Sequence, residues 1–210
     1  MPALDRHKQP SYTQAMQNTS LRTFLACPIS NENLSCIQRL QSELISVSPP
    51  MLTWVKPAHM HLTLKFMGEF NPAHLQPLRE RLARSLDVKE SFQVKIAGLG
   101  AFPSSARARV LWVGLQQAAK LGDLAKLVEI ETQALGYPAE ERPFAGHITL
   151  ARVKPDAHAQ ELSAIRALVD QKSAIEVGSQ IVEELIFWHS QLTPQGPQYR
   201  ELFRLALKAS

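Results

Sequence analysis

Two short stretches of this 210-residue chain share one pattern, a histidine, any residue, a threonine and an apolar residue: His61-Leu62-Thr63-Leu64 and His147-Ile148-Thr149-Leu150. Seven histidines are available, and two such matches amount to roughly a one-in-a-thousand coincidence. On a strand, side chains alternate between faces. His61, Thr63 and Lys65 are therefore expected on one face, with Leu62, Leu64 and Phe66 on the other. His147 and Thr149 share a face in the same way, with Ile148 and Leu150 behind them. Two such strands facing one another would line a cleft with two imidazoles and two hydroxyls. Imidazoles titrate near neutrality and suit a paired base and acid, while hydroxyls donate to the non-bridging oxygens of a phosphate. That is a site for in-line displacement at phosphorus with no metal and no cofactor. A single strand histidine is usually structural, and a single strand threonine reflects β propensity; the duplication is what points to chemistry. A zinc site is less well supported, because each motif offers one good ligand and no cysteine, third histidine or carboxylate recurs at a fitting offset. His59 follows Pro57-Ala58 and reads as loop, and His7, His74 and His158 read as surface.

The elements that must position these residues follow from periodicity and punctuation. Residues 21–27 read as a buried strand closed by Pro28. Ser30 or Asn31 can cap a helix carrying Leu34, Ile37, Leu40, Gln41 and Leu44, and Pro49-Pro50 stops it. Strands are expected at 52–55, 61–68, 92–99 and 110–115, and a helix opens at Asn71-Pro72 with Leu75, Leu78, Leu82 and Leu86 as its stripe. The second half repeats the rhythm: helix 118–135 with Gly136 just beyond its end, loop 138–146, strand 147–153, helix 156–170, and strands 174–178, 181–190 and 199–207. Several strand pairs have short connections, which favours antiparallel pairing. The expected fold is α+β, with two pseudo-symmetric lobes, each a mainly antiparallel sheet covered by helices, around a central cleft. Residues 1–20 are expected as a loose tail and residues 21–210 as a single bilobal domain.

Composition supports an ordinary globular protein: 45% hydrophobic and 20% charged residues. No run of about 18 apolar residues exists, so no membrane span is expected, and the first 20 residues lack the apolar centre of a secretory signal. The net charge of +4 is uneven: residues 1–110 hold 13 basic and 7 acidic residues, and residues 111–210 hold 10 and 12. A mildly positive half fits a phosphate-bearing ligand but not an extended duplex. Cys27 and Cys36 are too few for a disulfide framework or a zinc pattern, and a reducing cytoplasm and a monomer are the default expectations.

At these residues the chain resembles the 2H phosphoesterase superfamily. It is most similar to the RNA 2′,3′-cyclic phosphodiesterases, also called 2′-5′ RNA ligases of the LigT/ThpR type. The likeness runs from about Leu21 to the C-terminus. It is carried by Arg22-Thr23-Phe24-Leu25-Ala26, Trp54-Val55-Lys56-Pro57 leading into His61 to Gly68, Gly98 to Pro103, Arg109 to Trp112, Arg142-Pro143-Phe144 before His147 to Arg152, and Ser190 to Pro194 with Gly196-Pro197 and Tyr199. Ala145-Gly146 stand where the family usually has proline, and His189 stands where an acidic residue is common. The resemblance implies hydrolysis of an RNA 2′,3′-cyclic phosphate end, or a small cyclic nucleotide, to a 2′-phosphate. Family precedent favours His147 as base and His61 as acid, an assignment the sequence itself leaves open, with Thr63 and Thr149 on the phosphate. Arg152 alternates to the other face from Thr149 and either reaches the phosphate from the strand end or is structural. Phe66 has the parity of core residues, with substrate contact the alternative. Arg107 and Arg109 are either RNA backbone contacts or solvated loop charges, and Trp54 either stacks on a terminal base or is buried in the core. End ligation through a 2′-5′ bond would use the same site; a non-catalytic RNA-binding module and a metal hydrolase are the other readings.

Overall fold

The computed structural model describes residues 20–194 and 196–209. The stretch expected as a tail lies outside them apart from Ser20. The element order is β1 (Leu21–Cys27), α1 (Asn31–Val47), β2 (Leu52–Trp54), β3 (Leu62–Phe70), α2 (Leu75–Leu86), β4 (Phe92–Phe102), β5 (Val110–Gln116), α3 (Ala119–Gln133), β6 (His147–Val153), α4 (Ala159–Gln171), β7 (Glu176–Val182), β8 (Glu184–Thr193) and β9 (Gly196–Ala206). One-turn 3₁₀ segments occupy Pro57–His59, Pro72–His74 and Ser105–Arg107. The helix expected from Asn71 is therefore preceded by such a turn, which Asn71 caps through its side chain onto the Ala73 N–H. The strand expected at 181–190 is displaced, because the break between the two strands falls at Glu183 and not near Gly178.

The fold is α+β, with two antiparallel sheets of order β3-β1-β8-β9 and β2-β6-β5-β4-β7 among the described residues. Each sheet has one face against helices. α2 and α3 pack on the first sheet, against β9 and β3, while α1 and α4 pack on the second, against β7 and β4. The helices form because the residues of their buried faces recur at helical spacing: Ile37, Leu40 and Leu44 with the polar Gln41 in α1, and Leu78, Leu82 and Leu86 in α2, are all buried. Ser30 Oγ accepts the Asn33 N–H and caps α1. Each fully buried leucine contributes about 1.5–3 kcal/mol relative to exposure, so these stripes fix each helix against its sheet.

Two irregularities matter more than the regular parts. Along β3, Ala26 pairs with Thr63 but Leu25 pairs with Lys65, so Leu64 is an extra residue in the ladder. Along β6, Trp112 pairs with Thr149 but Leu111 pairs with Ala151, so Leu150 is an extra residue there. Each is a β-bulge placed directly after a His-x-Thr. A bulge shifts the period of two by one residue, so every side chain beyond it changes face.

Candidate active site

The two motifs stand on different sheets. His61 directly precedes β3 and Thr63 lies within it, while His147 opens β6 and Thr149 follows. The first sheet meets the second where β3 approaches β6, and the two imidazoles are close enough for His147 to act on the charge of His61.

The two rings sit in comparable surroundings. His147 Nδ1 lies 2.7 Å from the Ala145 carbonyl oxygen, two residues earlier, and the backbone of His59, also two residues earlier, acts on the His61 ring to favour its charged form. A ring nitrogen that donates to a carbonyl leaves the other as the free base of the neutral ring. Each imidazole is also boxed by two aromatic rings. Phe24 stacks on His61 at 4.6 Å and Tyr199 meets it edge-on at 5.5 Å. Phe102 meets His147 edge-on at 4.9 Å, with Trp112 at 6.3 Å. Trp112 lies flat against the strand beneath it, where a Cβ on Gly100 would meet the indole at 2.2 Å; only glycine makes that bed.

This packing sets the electrostatics. Burial pushes His61 down to about 4, with His147 and His59 adding to the effect and the His59 backbone bond opposing it. Burial also lowers His147, the Ala145 carbonyl opposing and the Arg152 charge adding to the shift. Both rings are therefore neutral bases in the free protein at neutral pH. The Thr63 and Thr149 side chains are partly exposed, on the faces shared with Phe24 and Trp112 through Ala26 and direct pairing. Among the described residues no group of three or more His, Cys, Asp or Glu is arranged to hold a metal ion.

A sequence model of the family described as LigT like Phosphoesterase matches residues 28–112, which include the first motif. The RNA 2′,3′-cyclic phosphodiesterase of Methanothermobacter thermautotrophicus is 32% identical over 187 residues, covering 88% of this chain and 99% of that one. The chain belongs to the LigT-like phosphoesterases. The enzyme of the same name from Aeropyrum pernix is 36% identical over 83% of this chain and 96% of its own. TT0787 of Thermus thermophilus matches in structure with a TM-score of 0.74 at 25% identity, over 90% of this chain and 100% of that one. Escherichia coli LigT, solved in complex with 3′-AMP, matches with a TM-score of 0.71 at 24% identity over 90% of this chain and 98% of its own, a likeness of fold.

Within this LigT-like frame several expected placements change. Phe66 is not a core residue: it is 61% exposed and pairs with Phe24, its ring 5.9 Å from the Phe24 ring. The Leu64 bulge moves it to the face of His61 and Thr63. Lys65 moves the other way, is buried, and reaches Glu129 Oε1 at 2.6 Å and the Pro138 carbonyl at 2.8 Å. Arg152 does not alternate away from Thr149. The Leu150 bulge returns it to the Thr149 face, where it acts electrostatically on both His147 and Tyr199. Trp54 is half-buried and packed against the hydrophobic core. Arg107 and Arg109 are exposed; the Arg109 backbone ties the loop to Phe102 and to Val153, next to Arg152. His189 pairs with Thr23 and Arg200, on the face opposite Phe24. His74 is not a free surface residue, since its Nδ1 lies 3.0 Å from the Tyr137 hydroxyl.

The residues that sequence reasoning left without a role are Phe24, Tyr199, Phe102 and Trp112, together with Arg22. Arg22 lies two residues from Phe24, on the same face of β1, within electrostatic reach of Tyr199. All five lie in stretches that carry the family likeness, but nothing local assigns them to the cleft. His59, read as loop, sits on a 3₁₀ turn with its ring 5.2 Å from Tyr199.

Proposed function

We propose that this protein hydrolyses RNA 2′,3′-cyclic phosphate ends to 2′-phosphates, by histidine acid–base catalysis that needs no metal. The observation that carries the reading is the matched pair: two His-x-Thr strands from separate sheets that meet at β3 and β6, their imidazoles within electrostatic reach of one another and the His147 ring held by the Ala145 carbonyl. The names of the curated relatives supply the substrate class.

In the reaction, water attacks phosphorus and the bond from phosphorus to O3′ breaks. His147 takes the proton from water as the new P–O bond forms, and His61 gives a proton to the departing O3′. Both rings are neutral without substrate, so the donor receives its proton together with the anionic phosphate, whose charge favours imidazolium. His61 suits that part, because the cation disfavoured most by its surroundings is the stronger acid once formed. Thr63 and Thr149 donate to the non-bridging oxygens as charge accumulates there, and Arg152 adds a positive charge on the Thr149 side. Phe66, Phe24 and Tyr199 offer ring faces to the terminal base.

The test is turnover of a short RNA ending in a 2′,3′-cyclic phosphate, with EDTA present, by the wild type, His61→Ala and His147→Ala. Conversion to the 2′-phosphate by the wild type, reduced at least 10²-fold in each variant, is the expected result. A folded wild type that binds the RNA without turning it over would sink the enzymatic reading. Loss of activity in EDTA would replace it with a metal hydrolase, and a 2′-5′ joined product would assign the reverse reaction to the same groups.

A further inference from the structure

We propose that Gln41 is a positioning residue for the second His-x-Thr strand, holding the Leu150 bulge that turns Arg152 toward the cleft. Gln41 belongs to α1 and is 6% exposed. Its Nε2 donates to two backbone carbonyls, Val55 at 3.0 Å and Leu150 at 3.1 Å. The second of these is 109 residues away in sequence and belongs to the one residue that the β5–β6 pairing skips. A skipped residue leaves its backbone groups out of the ladder, and a buried carbonyl without a donor is costly. The Leu150 carbonyl is instead satisfied twice, by the Val55 N–H at 2.8 Å and by the Gln41 amide. The amide thus ties together the end of β2, the extra residue of β6 and the helix behind them.

The placement matters because the bulge is what gives Arg152 its face. With Thr149 and Arg152 three residues apart, an unbulged strand would send them to opposite faces. Gln41 touches neither histidine nor threonine, so its effect passes through the backbone at Leu150. Asn33, on the same helix, provides the matched contrast. It is also buried and also donates to β7, from Nδ2 to the Ser179 carbonyl at 2.8 Å and to Gln180 Oε1 at 3.1 Å, but it has no bond to β6.

The test compares Gln41→Met and Gln41→Glu with Asn33→Ala. Gln41→Met keeps the length and removes the donor without adding charge, while Gln41→Glu sets a carboxyl against the two carbonyl oxygens, so the pair separates loss of the hydrogen bonds from an added buried charge. In both Gln41 variants, backbone amide exchange is expected to accelerate at Val55 and over residues 149–153, and not in Asn33→Ala, even where all three lower the melting temperature alike. The kinetic arm rests on the function proposed above. There, kcat/KM on the cyclic-phosphate RNA should fall about tenfold for Gln41→Met alone and less than twofold when it is added to Arg152→Ala. Unchanged local exchange, or equal losses in both backgrounds, would overturn the positioning role. A wild type without turnover would instead overturn the proposed reaction, leaving the exchange result to decide on Gln41.

Discussion

Phe66 and Arg152 occupy equivalent places in the two halves of the molecule. Each stands five residues after a motif histidine and three after a motif threonine, and each shares their face because its strand carries one extra leucine, Leu64 or Leu150. The two halves therefore present the same scaffold with different ends: an exposed aromatic ring on one side and a cation on the other. The repeated motif places two matching imidazoles, and this position is one at which the two sides differ.

Different kinetic signatures are expected for the two. Arg152→Ala should lower kcat/KM roughly 10- to 100-fold, the value of about 1.5–3 kcal/mol for hydrogen bonding to a charged group. Phe66→Ala should mainly raise KM, by the roughly 1–3 kcal/mol that one stacked base provides. Because the Phe66 ring is 61% exposed, its removal should change stability by less than about 0.5 kcal/mol. Steady-state kinetics and a urea titration of both variants check this; a Phe66→Ala protein destabilised by several kcal/mol would restore the core reading.

The acid and base roles proposed for the two histidines are told apart by the leaving group. A nitrophenolate departs without protonation, whereas a ribose oxygen does not. His61→Ala should therefore recover most of its lost rate, about 10²-fold or more, on a nitrophenyl phosphodiester relative to the cyclic RNA end. His147→Ala should be equally impaired on both. Recovery in His147→Ala alone would exchange the two roles.

Stability should depend on pH through His61. Its folded value is about 4 and its unfolded value is about 6.5. Between these values the unfolded chain binds the proton and the folded protein does not, so stability falls as pH drops from 6.5 towards 4 and levels off below. The difference corresponds to on the order of 3 kcal/mol. His147 is shifted the same way and adds to the slope. Urea unfolding of the wild type and His61→Asn at pH 7 and pH 4.5 measures it; an equally steep loss in the variant would place the acid sensitivity elsewhere.

Lys65 is the residue whose environment the bulge changes most. Its side chain is 4% exposed and that of Glu129 is 24% exposed. Burial pushes the Glu129 carboxyl up, but bonds from Lys65, Gln133 and the Glu140 backbone hold it below the usual carboxylate range. Lys65→Met should cost about 2 kcal/mol by leaving that carboxylate without its main partner. Adding Glu129→Leu should return part of the loss. A denaturant series on the two single variants and the double measures the coupling, and additive losses would mean that the pair is not the source.

The histidines and threonines are legible in the sequence because their repetition is local and their strands alternate cleanly up to the threonine. The strand, helix and capping pattern is legible for the same reason: Ser30, the α2 leucines and the strand from His147 to Val153 lie where spacing puts them. Phe66, Lys65 and Arg152 escape such a reading because a bulge is written in the partner strand. Nothing in His61-Leu62-Thr63-Leu64-Lys65-Phe66 records that Leu25 and Ala26 of β1 will skip Leu64. The aromatic box is equally hidden, since Phe24 and Tyr199 meet at 5.0 Å from distant parts of the chain. Each of those rings, taken alone, reads as an ordinary strand aromatic.

The sheet order has a consequence for the growing chain on the ribosome. β1 sits between β3 and β8, and β9 lies beyond β8 in the same sheet. The strand that carries the first motif is thus made early, yet its sheet is completed by strands synthesised after the second motif. Tyr199, which touches both His59 and His61, follows both motifs in the chain. A nascent chain holds both histidines before it holds Tyr199 and the two strands that complete the first sheet. The first sheet should therefore close late, and a chain released between β6 and β9 should carry both motifs with His61 lacking the Tyr199 ring.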